Sequence, residues 1–432
     1  MRGRTESERA GRSNITAGRH VPRTLTLSES RRPVLIFRSD LLSVSETFIL
    51  AQANALRRFE PRFVGLRRVH PSLRIPDDAI VAADGDNLLQ KCARGLYKRA
   101  GIGPRFHKRV QESGAHLIHA HFAVDGVLAL PLAKRLKVPL IVTLHGYDVT
   151  ISDTECSKSQ TGRLYLRRRR MLWQQAALFL CVSDFIQAKA LEAGFPECKL
   201  RRHHIGVDPR EFRRTDEPQD LASVLFVGRL VEKKGCDVLI QAMDIVQREL
   251  ADAVLTIIGD GPMRESLDKL AASLGVNCRF LGRASSEQIK QTLQRSTIVC
   301  VPSRTAANGD SEGLPIVLLE AQAMGVPVVS SFHAGISEAV IHGETGLLAP
   351  EGDYHALAQH LLLLLRREDL RVLYGSRGIQ WVRRAFDIER QTRRLEDIYE
   401  EILVEKTEAL SRGIPGRALV AGRVISESLP SR

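Results

Sequence analysis

Short apolar runs alternate along this chain with longer segments whose apolar residues recur every three or four positions. PVLIFRS (33–39), HLIHAHF (116–122), PLIVTLHG (139–146) and AALFLCVS (176–183) have the length of buried strands, and SETFILAQANALRR (45–58) between the first two has helical spacing. After the polar interval DPREFRRTDEPQDLA (208–222) the pattern restarts with SVLFVGR (223–229), AVLTIIGDG (253–261), CRFLGR (278–283), STIVCVPS (296–303) and PVVSS (327–331). Strands separated by helices imply βαβ units and parallel sheets. The chain therefore reads as α/β, two doubly wound domains joined near residue 210, with ligands expected beyond the carboxyl ends of the strands. A late amphipathic helix spans 386–405. Residues 1–32 and 406–432 lack the pattern and are read as a disordered basic arm and a loose tail.

A length of 432 residues, 44% of them hydrophobic, suits two cores rather than one. The seven cysteines show no C-x-x-C or zinc-ligand spacing, so reduced thiols in a cytosolic protein are expected. The polar, arginine-rich start MRGRTESERAGRSNITAGRH lacks the apolar core of a secretory signal. No apolar run approaches the roughly 18 to 20 residues of a spanning helix. Charge changes the picture more. Residues 1–210 hold 36 Lys and Arg against 19 Asp and Glu, and residues 211–432 hold 27 against 31. The whole basic excess lies in the first half, which should be drawn to an anionic partner: a membrane surface, a nucleic acid or a phosphorylated substrate.

The chemistry concentrates in SEGLPIVLLEAQAMGVPVVSS (311–331). A polar loop, RTAANGDSEG (304–313), follows the strand ending at Ser303, Pro315 suits the first turn of a helix, and Gly325 suits its end. Glu312 then sits in the loop and Glu320 more than a turn inside the helix. The N–H groups of Gly313 and Leu314, with the helix dipole, would cradle an anion. That leaves Glu320 to face a neutral polar partner such as a pair of ribose hydroxyls.

EGLPIVLLE resembles the E-x7-E motif of family 4 glycosyltransferases. That resemblance, which covers roughly 33–405, implies the GT-B fold, two Rossmann-like domains facing a central cleft, and retaining transfer of a hexose-type sugar from a nucleotide diphosphate. It implies an N-terminal acceptor-binding domain (33–210), a nucleotide-sugar-binding domain (211–385), and a helix at 386–405 packing back on the first. FVGRLVEKKG resembles the segment in which an Arg and a Lys clamp the diphosphate, here Arg229 and Lys234; fixed cations suit a leaving group that develops charge. TLHGYD resembles the segment with a His beside the reacting sugar, here His145. On the same resemblance Glu312 contacts the transferred sugar and Glu320 the ribose, Pro315 belongs to the donor site, and backbone near Leu281 and Gly282 holds the base. SVSETFI (43–49) and HAHF (119–122) resemble members that build extracellular polysaccharides, and HAGISEAVIHGETGLLAPEGD (333–353) also matches the family.

Many relatives carry a glycine-rich loop after the first strand; here Ser43, Ser45, Glu46 and Thr47 stand in its place, with Ser45 positioned to cap the next helix. The acceptor side is assigned to Ser45, Glu46, His121 and His145. Of His119 and His121, one is expected to face the cleft and the other to pack. Arg167 to Arg170 read as a solvated helix face or, beside Leu164, Leu166, Met171, Leu172 and Trp173, as a membrane-surface patch. The DGD at 84–86 resembles a D-x-D metal motif but has no nucleotide-site context, so no metal and no cofactor are expected. The expected partners are a UDP- or GDP-sugar, a saccharide acceptor carried on a polyprenyl lipid, and an anionic surface at the inner face of the cytoplasmic membrane. Two other function classes compete with this one. A nucleotide-binding protein without catalysis would lack His145, Lys234 and Glu312 together, and a nucleic-acid-binding protein would show a helix-turn-helix, RRM or zinc-finger signature.

Overall fold

The first apolar run becomes an inner strand covered on both faces. In the computed structural model of the chain, whose described residues are 31–411 apart from 44, 70–72, 74, 216–219 and 221, β1 is Arg32–Phe37. Leu35 and Phe37 enter one core cluster and Val34 and Ile36 the other, as a two-residue side-chain period requires. There follow β2 (Asp40–Leu41), β3 (Phe59–Gly65), β4 (Arg67–Arg68), β5 (Ile80–Val81) and β6 (Leu117–His121). Then come β7 (Leu140–Leu144), β8 (Leu178–Cys181) and β9 (Leu200–Arg202). The first sheet is seven-stranded and parallel, in the order β5-β3-β1-β6-β7-β8-β9, and β2 pairs with β4 apart from it.

The second sheet contains β10 (Ser223–Val227), β11 (Val254–Ile258), β12 (Cys278–Gly282), β13 (Ile298–Val301), β14 (Val328–Ser331) and β15 (Gly346–Ala349). Its order, β12-β11-β10-β13-β14-β15, is the 3-2-1-4-5-6 arrangement whose switch point lies between the first and fourth strands. Ligand sites are thus expected past β10 and β13 in the second sheet, and past β1 and β6 in the first. Both sheets belong to one compact unit that begins at Arg32.

Strands β3, β5, β9 and β15 were not legible from the alternation. β3 reads FEPRFVG, and a proline argues against a strand in the middle of a sheet. Its neighbour β5 pairs only with Val64 and Gly65, so around Pro61 β3 is an edge, where proline is tolerated.

The C-terminal helix is Ile388–Ser411, longer than the expected 386–405; residues 406–411 of the expected tail are its last turns. Arg32, assigned to the arm, opens β1. The rest of both readings, 1–30 and 412–432, lies outside the described residues. Leu395, Ile398, Tyr399 and Ile402 of this helix are buried with Val34, Ile36, Phe59 and Phe63 of the first sheet, each worth about 1.5–3 kcal/mol at full burial. Glu396, buried, accepts the N–H groups of Arg57, Arg58 and Phe59 at 2.7, 2.6 and 3.3 Å. The chain thus passes between the sheets twice, and the two passages are pinned together: Val207 donates to the Phe386 carbonyl at 2.8 Å and accepts from Ile388 at 3.0 Å. All seven cysteines are free thiols. Among the described residues no helix is long and apolar enough to cross a membrane.

Candidate active site

The loop after β13 leads into the helix Ile316–Ala323. Pro315 stands at the N-cap rather than inside the first turn, and Gly325 follows the C-cap with a φ of 69°. Among the described residues the N–H groups of Gly313 and Leu314 make no hydrogen bond. Glu312 is buried and paired: its Oε1 lies 2.7 Å from Lys234 Nζ. Burial alone would raise its carboxyl pKa, but Lys234, with Lys233 near it, holds it below the ordinary value. Lys234 arrives on a short turn, Glu232–Lys234, after β10, its stem passing over Gly228. Arg229 on the same segment is exposed and has no side-chain partner among the described residues.

Glu320 is the opposite case. It is half-buried, without a hydrogen bond or ion pair among the described residues, and burial pushes its carboxyl up to about 7. An acid held this way is uncomfortable unless a ligand supplies donors. Leu281, exposed, and Gly282 end β12, where the Gly282 carbonyl accepts from Gly259 at 2.8 Å.

Sequence reasoning passed over two residues that hold this loop. His333, buried just past β14, accepts the Glu312 N–H through Nε2 at 3.3 Å. Its Nδ1 therefore carries the proton and donates to Glu351 at 2.7 Å. Lys233 holds Asp310 at 2.9 Å and the Ser311 carbonyl at 3.2 Å. The signal for His333 lay in its position directly after an apolar strand end. His333→Ala strands the buried Glu312 N–H and leaves one oxygen of the exposed Glu351 to solvent. It is expected to cost about 1–3 kcal/mol of stability and to slow turnover more than it weakens nucleotide binding, as urea unfolding beside steady-state kinetics would reveal.

Across from this loop, the carboxyl ends of β1, β6 and β7 carry a connected polar group. His119 and His121 lie on the same face of β6, because residues two apart share a face, and both are buried. Of the two, one of which was expected to face the cleft and the other to pack, His119 packs inward and His121 adjoins His145. His119 bonds Tyr399 Oη and Thr143 Oγ1, each at 2.6 Å, while His121 Nδ1 lies 3.0 Å from His145 Nε2. Burial lowers His119 to about 3 and takes His121 and His145 well below the ordinary imidazole value, so all three are neutral at pH 7. Asp148, raised by burial to about 6, accepts the backbone N–H groups of Ala123 and His145. The His145 ring rests between Phe48 and Phe122, at 5.0 and 4.6 Å.

Ser45 does not cap the helix Thr47–Asn54. The N-cap is Glu46, which makes no capping bond, while Ser45 Oγ lies 3.2 Å from Ser43 Oγ. The Glu46 carboxylate instead accepts from Arg38 and from the Ser43 N–H, and Arg38 also reaches Asp125. An ion-paired arginine thus occupies the switch point of the first sheet.

The two halves meet at glycines. Gly146 has a φ of 137°, and a Cβ there would lie 3.1 Å from the Ser311 carbonyl oxygen. A Cβ on Gly313 would lie 2.0 Å from the His145 carbonyl oxygen, so no other residue fits without moving the backbones apart. Thr150 Oγ1 accepts the Ser311 N–H at 3.3 Å. His145 is therefore set directly against the Glu312–Gly313 segment. Asp84 and Asp86 are far less suggestive, paired with Arg68 and Arg94. Among the described residues no group of three or more His, Cys, Asp or Glu is placed to hold a metal ion.

The sequence model described as Glycosyltransferase Family 4 matches residues 45–211, and that described as Glycosyl transferases group 1 matches residues 207–381. The chain belongs to the family 4, group 1 glycosyltransferases. Among the relatives of this family 4 chain, the amylovoran biosynthesis glycosyltransferase AmsK of Erwinia amylovora is 36% identical over 259 residues, which are 59% of this chain and 62% of AmsK. The GDP-mannose-dependent alpha-(1-6)-phosphatidylinositol monomannoside mannosyltransferase of Mycobacterium tuberculosis is 29% identical over 346 residues, 77% of this chain and 86% of that one. Anabaena HepE, solved in complex with UDP and glucose, superposes with a TM-score of 0.67 at 18% identity, over 86% of this chain and 100% of that one. The fold is GT-B.

Proposed function

We propose that this family 4 chain transfers a hexose-type sugar from a UDP- or GDP-sugar to a saccharide acceptor, with retention of anomeric configuration, in the assembly of a cell-surface polysaccharide. The observation that carries this reading is the division of labour on one short segment: Glu312 neutralised by Lys234, the Gly313 and Leu314 N–H groups unengaged, and Glu320 left without a partner. A diphosphate meets Arg229, Lys234 and the helix N-terminus, where developing negative charge is stabilised. Glu320 takes the ribose hydroxyls. Glu312 takes hydroxyls of the sugar, and neutral His145, held by His121, faces the same sugar from the other half. As the diphosphate departs under the pull of the two cations, the acceptor hydroxyl attacks from the same face and passes its proton to the leaving phosphate oxygen. No side chain forms a covalent bond to the sugar.

The polysaccharide reading draws on AmsK, the nucleotide reading on the UDP of HepE and the GDP-mannose of the mannosyltransferase. A lipid-linked acceptor fits the basic first half, which suits a peripheral position at the inner face of the cytoplasmic membrane. The diphosphate has cations waiting for it, so turnover without a metal is part of the proposal. Proton NMR of the first-formed product, with and without chelator, tests both parts. The expected result is the donor's anomer in either case. An inverted anomer overturns the mechanism, and activity lost to chelator and restored by Mg²⁺ or Mn²⁺ overturns the metal-free reading.

A further inference from the structure

The helix Leu88–Ala100 is inside out. Its buried side chains are Arg94 and Tyr97: Arg94 donates to the carbonyls of Ala83 and Gly85 at 3.0 and 2.5 Å, and Tyr97 to the Leu128 carbonyl at 2.9 Å. Its apolar residues point the other way. Leu88 is 77% exposed, Leu89 81%, Leu96 50%, and Ile102 just beyond the helix 49%; Cys92 is exposed as well. Helical geometry puts Leu88, Cys92, Leu96 and Leu89 within an arc of about 100°, turned away from Arg94 and Tyr97. A surface helix of a globular protein normally buries such a stripe.

Charge surrounds the stripe. From Leu88 to Gln111 the chain has seven Lys and Arg and no Asp or Glu. The acids that border this stretch are engaged: Asp84 with Arg68, Asp86 with Arg94, Glu112 with Lys108. Arg168 donates to the Arg99 carbonyl, which joins the row Arg167–Arg170 to the far end of the same helix.

We propose that this face docks on an anionic phospholipid bilayer, with Leu88, Leu89 and Leu96 entering the boundary between headgroups and acyl chains and Lys91, Lys98, Arg99 and Arg105 lying on the phosphates. Exposed leucines ringed by cations are what an interfacial helix presents to lipid, whereas a second copy of the chain would bring an equally basic face and be repelled. The docking rests on the peripheral membrane position proposed above, assigns the contact to the helix Leu88–Ala100 beside the arginine row, and is tested without reference to sugar transfer.

The full chain would be sedimented with vesicles of phosphatidylglycerol mixed with phosphatidylcholine, and with phosphatidylcholine alone. Binding to the mixed vesicles only is expected, falling as salt shortens the screening length to about 8 Å at physiological strength. Leu88→Gln with Leu89→Gln, exposed positions with little to lose in folding, should lower the partition coefficient about tenfold or more. Lys91→Gln with Arg99→Gln should lower it too and flatten its salt dependence. Transfer to a water-soluble acceptor should be unchanged in both variants, and its absence in all proteins would count against the proposed reaction while leaving the vesicle result intact. The docking proposal is overturned if wild type ignores the mixed vesicles, if the leucine variant binds them as wild type does, or if that variant instead abolishes a concentration-dependent dimer in sedimentation velocity.

Discussion

Arg229→Ala and Lys234→Ala are each expected to lower kcat by about 100-fold or more, the scale on which a preorganised charge-stabilising group acts, while the acceptor KM hardly moves. Their environments separate them in a second measurement. Arg229 is exposed and unpartnered among the described residues, so its removal should leave the unliganded protein as stable as before. Lys234 neutralises the buried Glu312, and removing one partner of a buried pair costs about 3–5 kcal/mol. Urea unfolding should therefore show a lower midpoint for Lys234→Ala alone, against equal losses of turnover. A large rise in acceptor KM with normal kcat would move both residues out of the donor site. Equal stability of the two variants would mean that the Lys234–Glu312 pair does not persist in solution.

Glu320→Ala should weaken binding of UDP or GDP by about 1.5–3 kcal/mol, the range for hydrogen bonds to a charged group. Thermal stabilisation by each nucleotide reports it, since a ligand of the folded state raises the melting point. The same residue makes a pH prediction. Its carboxyl is raised from 4.5 to about 7 in the folded chain, so between those values the folded state holds a proton that the unfolded chain has released. Stability contributed by this group is complete below about 4.5 and is lost as pH rises through about 7. Glu320→Ala should remove that slope, becoming more stable relative to wild type at pH 8 than at pH 5, while wild-type nucleotide affinity should rise across the same interval. Nucleotide binding equal to that of wild type would refute the ribose assignment.

The elements were legible because their signals are local. An apolar run of strand length followed by a helical period needs no knowledge of the rest of the chain, and the spacing of Glu312 and Glu320 across Pro315 placed one in a loop and the other inside a helix. The same locality explains the gaps. Pro61 hid β3 because proline is tolerated only where the neighbouring strand is too short to reach it, a fact about β5. Ser45 looked like a cap, yet Glu46 takes the N-cap position and is drawn to Arg38, which Asp125, 87 residues from Arg38, also engages. His333 read as part of a matching segment and proved to hold the Glu312 loop from 21 residues away.

By itself, then, the sequence determined the two doubly wound halves, the strand ends at which chemistry collects, and the residue types available there, since these follow from backbone period and turn chemistry. Only the tertiary structure decided that Lys234 pairs with Glu312, that Glu320 is left without a partner, that neutral His121 supports His145, and that the helix Leu88–Ala100 turns its leucines outward. Each of these depends on which groups are brought together and shut away from water. Pairing and desolvation are properties of the assembled fold, and no spacing along the chain encodes them.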